Sequence, residues 1–257
     1  MARHQPIAPA NEVIGSRAIA GAWTGLTAPP SYPATAADRR TIELAGLDLP
    51  VRATIAAALV TLALLVDYSR TFVPESIIAL GRSADAMLAI AVERVALFGL
   101  IPLAVVVLGF RDRPSRYGLT LGDWRWGAVL MIMGCAAMTP VVLAFAELPD
   151  VQAYYAPSGG PLGQLVLTNL LDLTAAEFAF RGFLLFTLVR LIGPLGLVVA
   201  AMPFVFAHLG KPELELFSTL GGGMVYGWLA WRTGSIVWGS IGHVYILTLV
   251  TVAAAGG

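Results

Sequence analysis

Charge is what this sequence has least of. Only 12% of its 257 residues are Asp, Glu, Lys or Arg, where a soluble domain carries about a quarter. Lysine is almost absent, since of 16 basic residues only Lys211 is not Arg. That bias, with abundant Ala and Gly, is the composition of a GC-rich bacterial genome. The single cysteine, Cys135, excludes a disulfide framework and a thiolate metal site. The formal charge is zero and no basic run exists, so a nucleic-acid partner is set aside. The first 50 residues lack a continuous apolar core and a signal-peptide cleavage pattern, and Pro29, Pro30 and Pro33 lie among Ala, Ser and Thr. They read as a mostly disordered polar tail rather than a targeting segment.

What is present is apolar. Hydrophobic residues make up 58% of the chain and the mean hydropathy is +0.79, values of an integral membrane protein. From Val51 to Gly257 the sequence divides into apolar segments: Arg52 to Val66, Ala86 to Phe110, Gly127 to Ala146, Pro161 to Arg190, Gly193 to Leu209, Glu215 to Trp231 and Ser235 to Ala255. About 20 apolar residues cross a hydrocarbon core, so the expectation is an all-α polytopic membrane helical bundle with about seven transmembrane helices, preceded by the tail. Pro140 predicts a kink in the third span. Arg39, Arg40 and Arg52, then Arg111, Arg113, Arg116 and Arg125, then Arg190 and Arg232, fall on alternate loops. The positive-inside rule puts these and the N-terminus in the cytoplasm, in a bacterial inner membrane. Arg70 and Arg82 fit that pattern less well. Gly221, Gly222 and Gly223 follow no strand and precede no Lys-Ser/Thr pair, so they predict close helix packing rather than a phosphate loop.

Ionisable residues inside such segments are costly and mark sites or ion pairs. Glu177 and Arg181 are one helical turn apart, acid first, the favourable order for an intrahelical pair. Beside them stand the two histidines outside the tail, His208 and His243, on two further segments. Two imidazoles, a carboxylate and a guanidinium from three helices can position and deprotonate a water, or hold a divalent metal through His208, His243 and Glu177.

These residues resemble the motifs of the CAAX-type prenyl endopeptidases and bacteriocin-processing (ABI, or CPBP) intramembrane proteases. The family's Glu-Glu-x-x-x-Arg reads here Ala176-Glu177-Phe178-Ala179-Phe180-Arg181, followed by Gly182. Its Phe-x-x-x-His is met by Phe204 and His208. The run Trp231-Arg232-Thr233-Gly234-Ser235 leads into a last helix whose His-x-x-x-Asn is here His243 to Leu247. The resemblance covers roughly residues 162–247. It implies a conical intramembrane cavity and hydrolysis of membrane-associated, including prenylated, peptides, with a divalent metal such as zinc as a possible cofactor. By that resemblance Glu177, Arg181, His208 and His243 are the catalytic set: His208 activates a water, Arg181 holds Glu177 and His243 stabilises the oxyanion.

Two positions depart from the pattern. Ala176 replaces the first Glu and Leu247 the Asn. Loss of a general base costs about 10² to 10⁴ in rate and loss of an oxyanion donor about 10² to 10³, so the expected endopeptidase is impaired. Asp172, one turn before Ala176, and Asn169, two turns before it, lie on the same face as the vacancy and are candidate substitutes or cavity lining. Ser240 is the corresponding candidate near His243. The competing expectations are an inactive relative that holds membrane peptides or regulates, and third a small transporter, which no inverted repeat supports. Geometry poses one further problem. On this topology His208 sits near the outer end of its span and His243 about 12 Å in from the inner end, so a shared site requires a tilted, broken or re-entrant helix, which Pro194 and Pro203 permit.

Overall fold

A computed structural model describes Gly21 and residues 30–256, and residues 32–257 form one compact unit. A two-stranded antiparallel hairpin, β1 (Thr41–Leu44) and β2 (Leu47–Pro50), pairs Ile42 with Leu49 and Glu43 with Asp48. It runs directly into α1 (Val51–Ser69). The helix α2 spans Ala84–Gly109 and starts where the Ser83 hydroxyl accepts from the Ala86 amide at 3.3 Å, a side-chain N-cap. Two π-helical stretches, Val95–Leu100 and Val105–Gly109, interrupt it. Then follow α3 (Trp124–Ala146), which carries Pro140 without ending, and α4 (Pro149–Tyr155).

The centre of the bundle is one long helix in three parts. α5 (Leu162–Glu177) passes into a π-helical segment, Phe178–Leu184, and continues as α6 (Leu185–Ile192). Every residue from Phe178 to Arg190 is buried, so this part of the helix is wrapped by protein on all sides, which explains why it tolerates charge. Around it lie α7 (Leu195–Phe206), α8 (Glu213–Thr233) and α9 (Val237–Ala254).

The described residues are thus mainly helical, with a small exposed hairpin that the all-α expectation omits. Four helices, α1, α2, α3 and α9, are long and apolar enough to cross a membrane, against the seven expected. The shortfall has physical causes. The central helix carries Asp172, Glu177, Arg181 and Arg190, all buried, and so reads as polar although protein covers it. α7 has only 12 residues, about 18 Å of helix. α8 begins with Glu213 and Glu215 and ends with Arg232.

The expected tail is also shorter in its ordered part. Its residues 1–29 lie, Gly21 apart, outside the described residues, but from Tyr32 the chain is tied down. The Tyr32 hydroxyl donates to the Trp231 carbonyl at 2.6 Å, and its ring meets Phe186 edge-on at 5.2 Å. Asp38, 2% exposed, accepts from Arg52 at 2.7 Å and from Arg116 at 3.0 Å, while Arg52 and Arg116 also share Asp112. Composition alone concealed this because the anchors are two isolated side chains in a Pro/Ala-rich stretch.

Burial pushes the Asp38 carboxyl up, but the hydrogen bonds from Thr35, Arg52 and Arg116 outweigh it and hold the group well below the usual carboxylate range. With the folded pKa depressed, the stabilisation is present above the unfolded value, about 3.9, and is lost as pH falls through the folded one. Replacing Asp38 by Asn leaves Arg52 and Arg116 with Asp112 as their shared carboxylate, a loss of about 1 to 3 kcal/mol. In detergent melts the gap between wild type and Asp38→Asn should be constant above about pH 5 and shrink below about pH 4; a pH-independent gap refutes this.

Candidate active site

The π segment opens at Phe178, immediately after Glu177, and such segments recur at functional sites. Its most constrained backbone position is Gly182, where a Cβ would lie 2.6 Å from the Phe178 ring and 2.8 Å from the Tyr117 carbonyl. The glycine after Arg181 therefore lets the loop Pro114–Tyr117 close against the central helix.

Glu177 and Arg181 are 1% and 2% exposed. Arg181 Nη1 lies 3.1 Å from Glu177 Oε1, without hydrogen-bond alignment, so the contact is ionic. The same Oε1 accepts from His243 Nδ1 at 3.0 Å. The guanidinium makes up for its missing hydrogen bonds on aromatic faces, with its carbon 3.6 Å from the Phe204 ring centroid and 5.8 Å from that of Tyr226. Desolvated cation–π contacts of this kind contribute about 2 kcal/mol. α9 passes close to the carboxylate at residue 239, one turn before His243, where a Cβ would sit 3.4 Å from Glu177 Oε2, an ordinary van der Waals contact.

Phe204 is the hub. Its ring contacts His208 at 4.5 Å and His243 at 5.9 Å between centroids, and Tyr226 stacks on His243 at 5.0 Å. The two histidines thus meet on one ring, and the helix-break requirement is met by α7, which ends at Phe206 with His208 in the following turn. Their situations differ. His208 is 8% exposed and its Nδ1 donates to the Phe204 carbonyl at 2.8 Å. His243 instead lines a cavity of about 750 Å³ whose walls include Met138, Phe145, Leu214 and Leu247, a size typical of ligand sites. Tyr155, Lys211 and Glu215 give this apolar cavity one polar corner: the Tyr155 hydroxyl donates to Glu215 at 2.6 Å and Lys211 to Glu215 at 2.8 Å.

The candidate substitutes have other partners. Asp172 is held by Arg94 through two contacts, 2.9 and 3.1 Å, and Arg94 also holds Asp67. The Asn169 amide donates to Thr248 at 2.9 Å, and the Ser240 hydroxyl to the Ile236 carbonyl at 3.0 Å. Ala176, at the vacant position, packs against the hydrophobic core. For a metal, the expected ligands are Glu177, His208 and His243. Among the described residues no group of three or more His, Cys, Asp or Glu is placed to hold one. Glu177 Oε1 is shared by Arg181 and His243, and His243 Nδ1 is spent on Glu177, so the trio does not present the three free ligands of a catalytic zinc site. Sequence reasoning missed Phe204 as a hub, Tyr226, and the Tyr155–Lys211–Glu215 corner. The Phe-x-x-x-His spacing was a signal for the first, and nothing local marked the others.

Residues 158–248 match the family model described as type II CAAX prenyl endopeptidase Rce1-like. No curated protein and no solved structure gives a significant match. The matched stretch contains the central helix, Phe204, His208, Tyr226, His243 and Leu247, and it bears out the resemblance carried by those motifs. Over that stretch the chain is similar to the CAAX-protease type, and the four apolar helices make it an integral membrane protein.

The buried pair yields a double-mutant test. Arg181→Leu leaves Glu177 charged and uncompensated, at about 3 to 5 kcal/mol. Adding Glu177→Gln removes the stranded charge, so the double variant should melt above Arg181→Leu alone in detergent. Additive losses would show that the two groups do not compensate each other. Independently, Gly182→Ala forces the loop off the central helix, and thermal melts should show a loss of about 1 to 3 kcal/mol.

Proposed function

We propose that this membrane protein is an intramembrane endopeptidase for apolar, membrane-associated peptides, prenylated ones included, and that its water is activated at His243 rather than at residue 176 with His208. The observation that carries the reading is the Glu177–His243 contact, 3.0 Å, on an imidazole that lines the large apolar cavity.

A carboxylate can only accept, so Nδ1 carries the proton and Nε2 is the basic nitrogen. A water beside Nε2 loses a proton to the ring as it attacks the peptide carbonyl. Glu177 stabilises the imidazolium that forms, and Arg181 keeps Glu177 ionised without competing for the proton. The ring then returns the proton to the leaving amine. Leu247 offers no donor to the oxyanion, which by itself lowers the rate about 10² to 10³, so the enzyme is slow. The apolar walls suit a lipid-bearing substrate, and no step requires a metal.

In this reading the central helix, enclosed by its neighbours from Phe178 to Arg190, and Glu213–Thr233 also cross the bilayer, while Leu195–Phe206 is a half-span. The Arg-rich loops and the N-terminus face the cytoplasm of a bacterial cell.

Ala176 and Leu247 favour a second reading, a peptide-holding protein that does not cleave. Cleavage of a farnesylated peptide in nanodiscs separates the two. His243→Ala should abolish turnover and Glu177→Gln lower it about 10² to 10⁴, with His208→Ala milder than either; equal loss at His208 and His243 overturns the assignment. If wild type cleaves nothing while Ala176→Glu with Leu247→Asn does, the peptide-holding reading stands instead.

A further inference from the structure

Beside the large cavity lies a second, of about 40 Å³, lined by Ser158, Gln164, Thr168, Asn169, Asp172 and Thr251. Apolar side chains, Met87, Leu165 and Leu247 among them, complete its walls. Ser158 and Thr168 are 7% and 5% exposed, yet neither hydroxyl oxygen has a hydrogen-bond partner among the described residues. Buried hydroxyls are satisfied almost without exception, by protein or by ordered water. Neighbouring donors are directed elsewhere, the Arg82 Nε–H to the Tyr154 carbonyl among them. Asn169 spends its amide on Thr248 and Gln164 its amide on Asp85, while the Thr251 hydroxyl donates to the Leu247 carbonyl. What remains is a set of acceptors and rotatable hydroxyls around a space large enough for about three waters, each needing about 10 to 15 Å³ and two to four partners.

Two residues, Tyr155 and Leu247, line both cavities. Leu247 is one helical turn beyond His243 on α9. Its side chain is thus part of the wall between the polar pocket and the chamber that His243 lines.

We infer that the polar pocket is a hydration site, holding ordered water that passes Leu247 into the apolar cavity beside His243. This rests on the hydrolytic reading for its use and not for its existence. Hydrolysis consumes one water per peptide bond, its oxygen entering the new carboxylate and its protons shared between the two products. An apolar cavity holds water poorly, so a polar store one turn from the base solves the supply problem. The leucine in place of Asn makes the partition apolar, and side-chain rotation of Leu247 controls passage.

The test is hydroxyl-radical footprinting of the full chain in nanodiscs, with a pulse of ¹⁸O-labelled water. Leu165 lines the pocket and is 7% exposed, while Leu185 is 1% exposed in the core. Leu165 should be oxidised several-fold faster than Leu185, and Ser158→Ala with Thr168→Val should bring it down to the Leu185 rate. Leu247→Ala should speed entry of the ¹⁸O label at Leu165 and Leu247→Phe should slow it. Protection of Leu165 equal to that of Leu185, or label entry indifferent to both Leu247 variants, overturns the inference. Peptide cleavage is followed in the same preparations: absent cleavage with the predicted footprint sinks the hydrolytic reading alone.

Discussion

Everything in this bundle is arranged around the cost of keeping Glu177 and Arg181 away from water. An isolated ion of either kind costs several kcal/mol to bury, and neither is more than 2% exposed. The structure meets that cost with three elements at once. Arg181 neutralises Glu177 from the next turn, α7 and α8 bring Phe204 and Tyr226 to the guanidinium, and α9 brings His243 to the carboxylate. The glycine at 182 fits the same arrangement, since it removes a Cβ where the Pro114–Tyr117 segment closes on the central helix. The central helix is therefore held in register by electrostatics as much as by its apolar face.

The same logic recurs elsewhere. Arg94 is gripped by Asp67 and Asp172 and so ties α1, α2 and α5 together. Arg52 and Arg116 share Asp38 and Asp112, fastening the segment before the hairpin to the start of α1. Arg70 pairs with Asp67 at 2.6 Å, and Arg82 stacks on Tyr154 at 3.6 Å. Both arginines that fit the topology rule poorly thus have local structural partners, which a charge count along the chain cannot register. With charged residues so scarce, pairing consumes many of them.

Legibility in the sequence divides along this line. The apolar helices were visible because lipid-facing composition is a property of single segments, and the ends of α1, α2, α3 and α9 fall within a few residues of the apolar runs. The shared placement of Glu177, Arg181, His208 and His243 was visible because the family spacing encodes it. Spans covered by protein are less plain, since hydropathy measures what a helix would expose and not what encloses it. The order of residues 32–50 was invisible because Tyr32 and Asp38 find partners about 200 and 14 residues away. Asp172 looked like a spare base on a helical wheel, and only the arrival of Arg94 from another helix shows it to be occupied.

The two departures from the family pattern now have different meanings. At Ala176 the helix has lost a carboxylate without leaving a hole, because the position packs into the core and the remaining carboxylate, Glu177, reaches the last helix instead. That contact orients the His243 ring and sets a buried anion beside it. At Leu247 the loss is not offset, since leucine forms part of the wall between two cavities and supplies no hydrogen bond to either. On the proposed hydrolytic reading, a site altered this way keeps the means to activate water better than the means to stabilise the oxyanion, which limits turnover at the tetrahedral step.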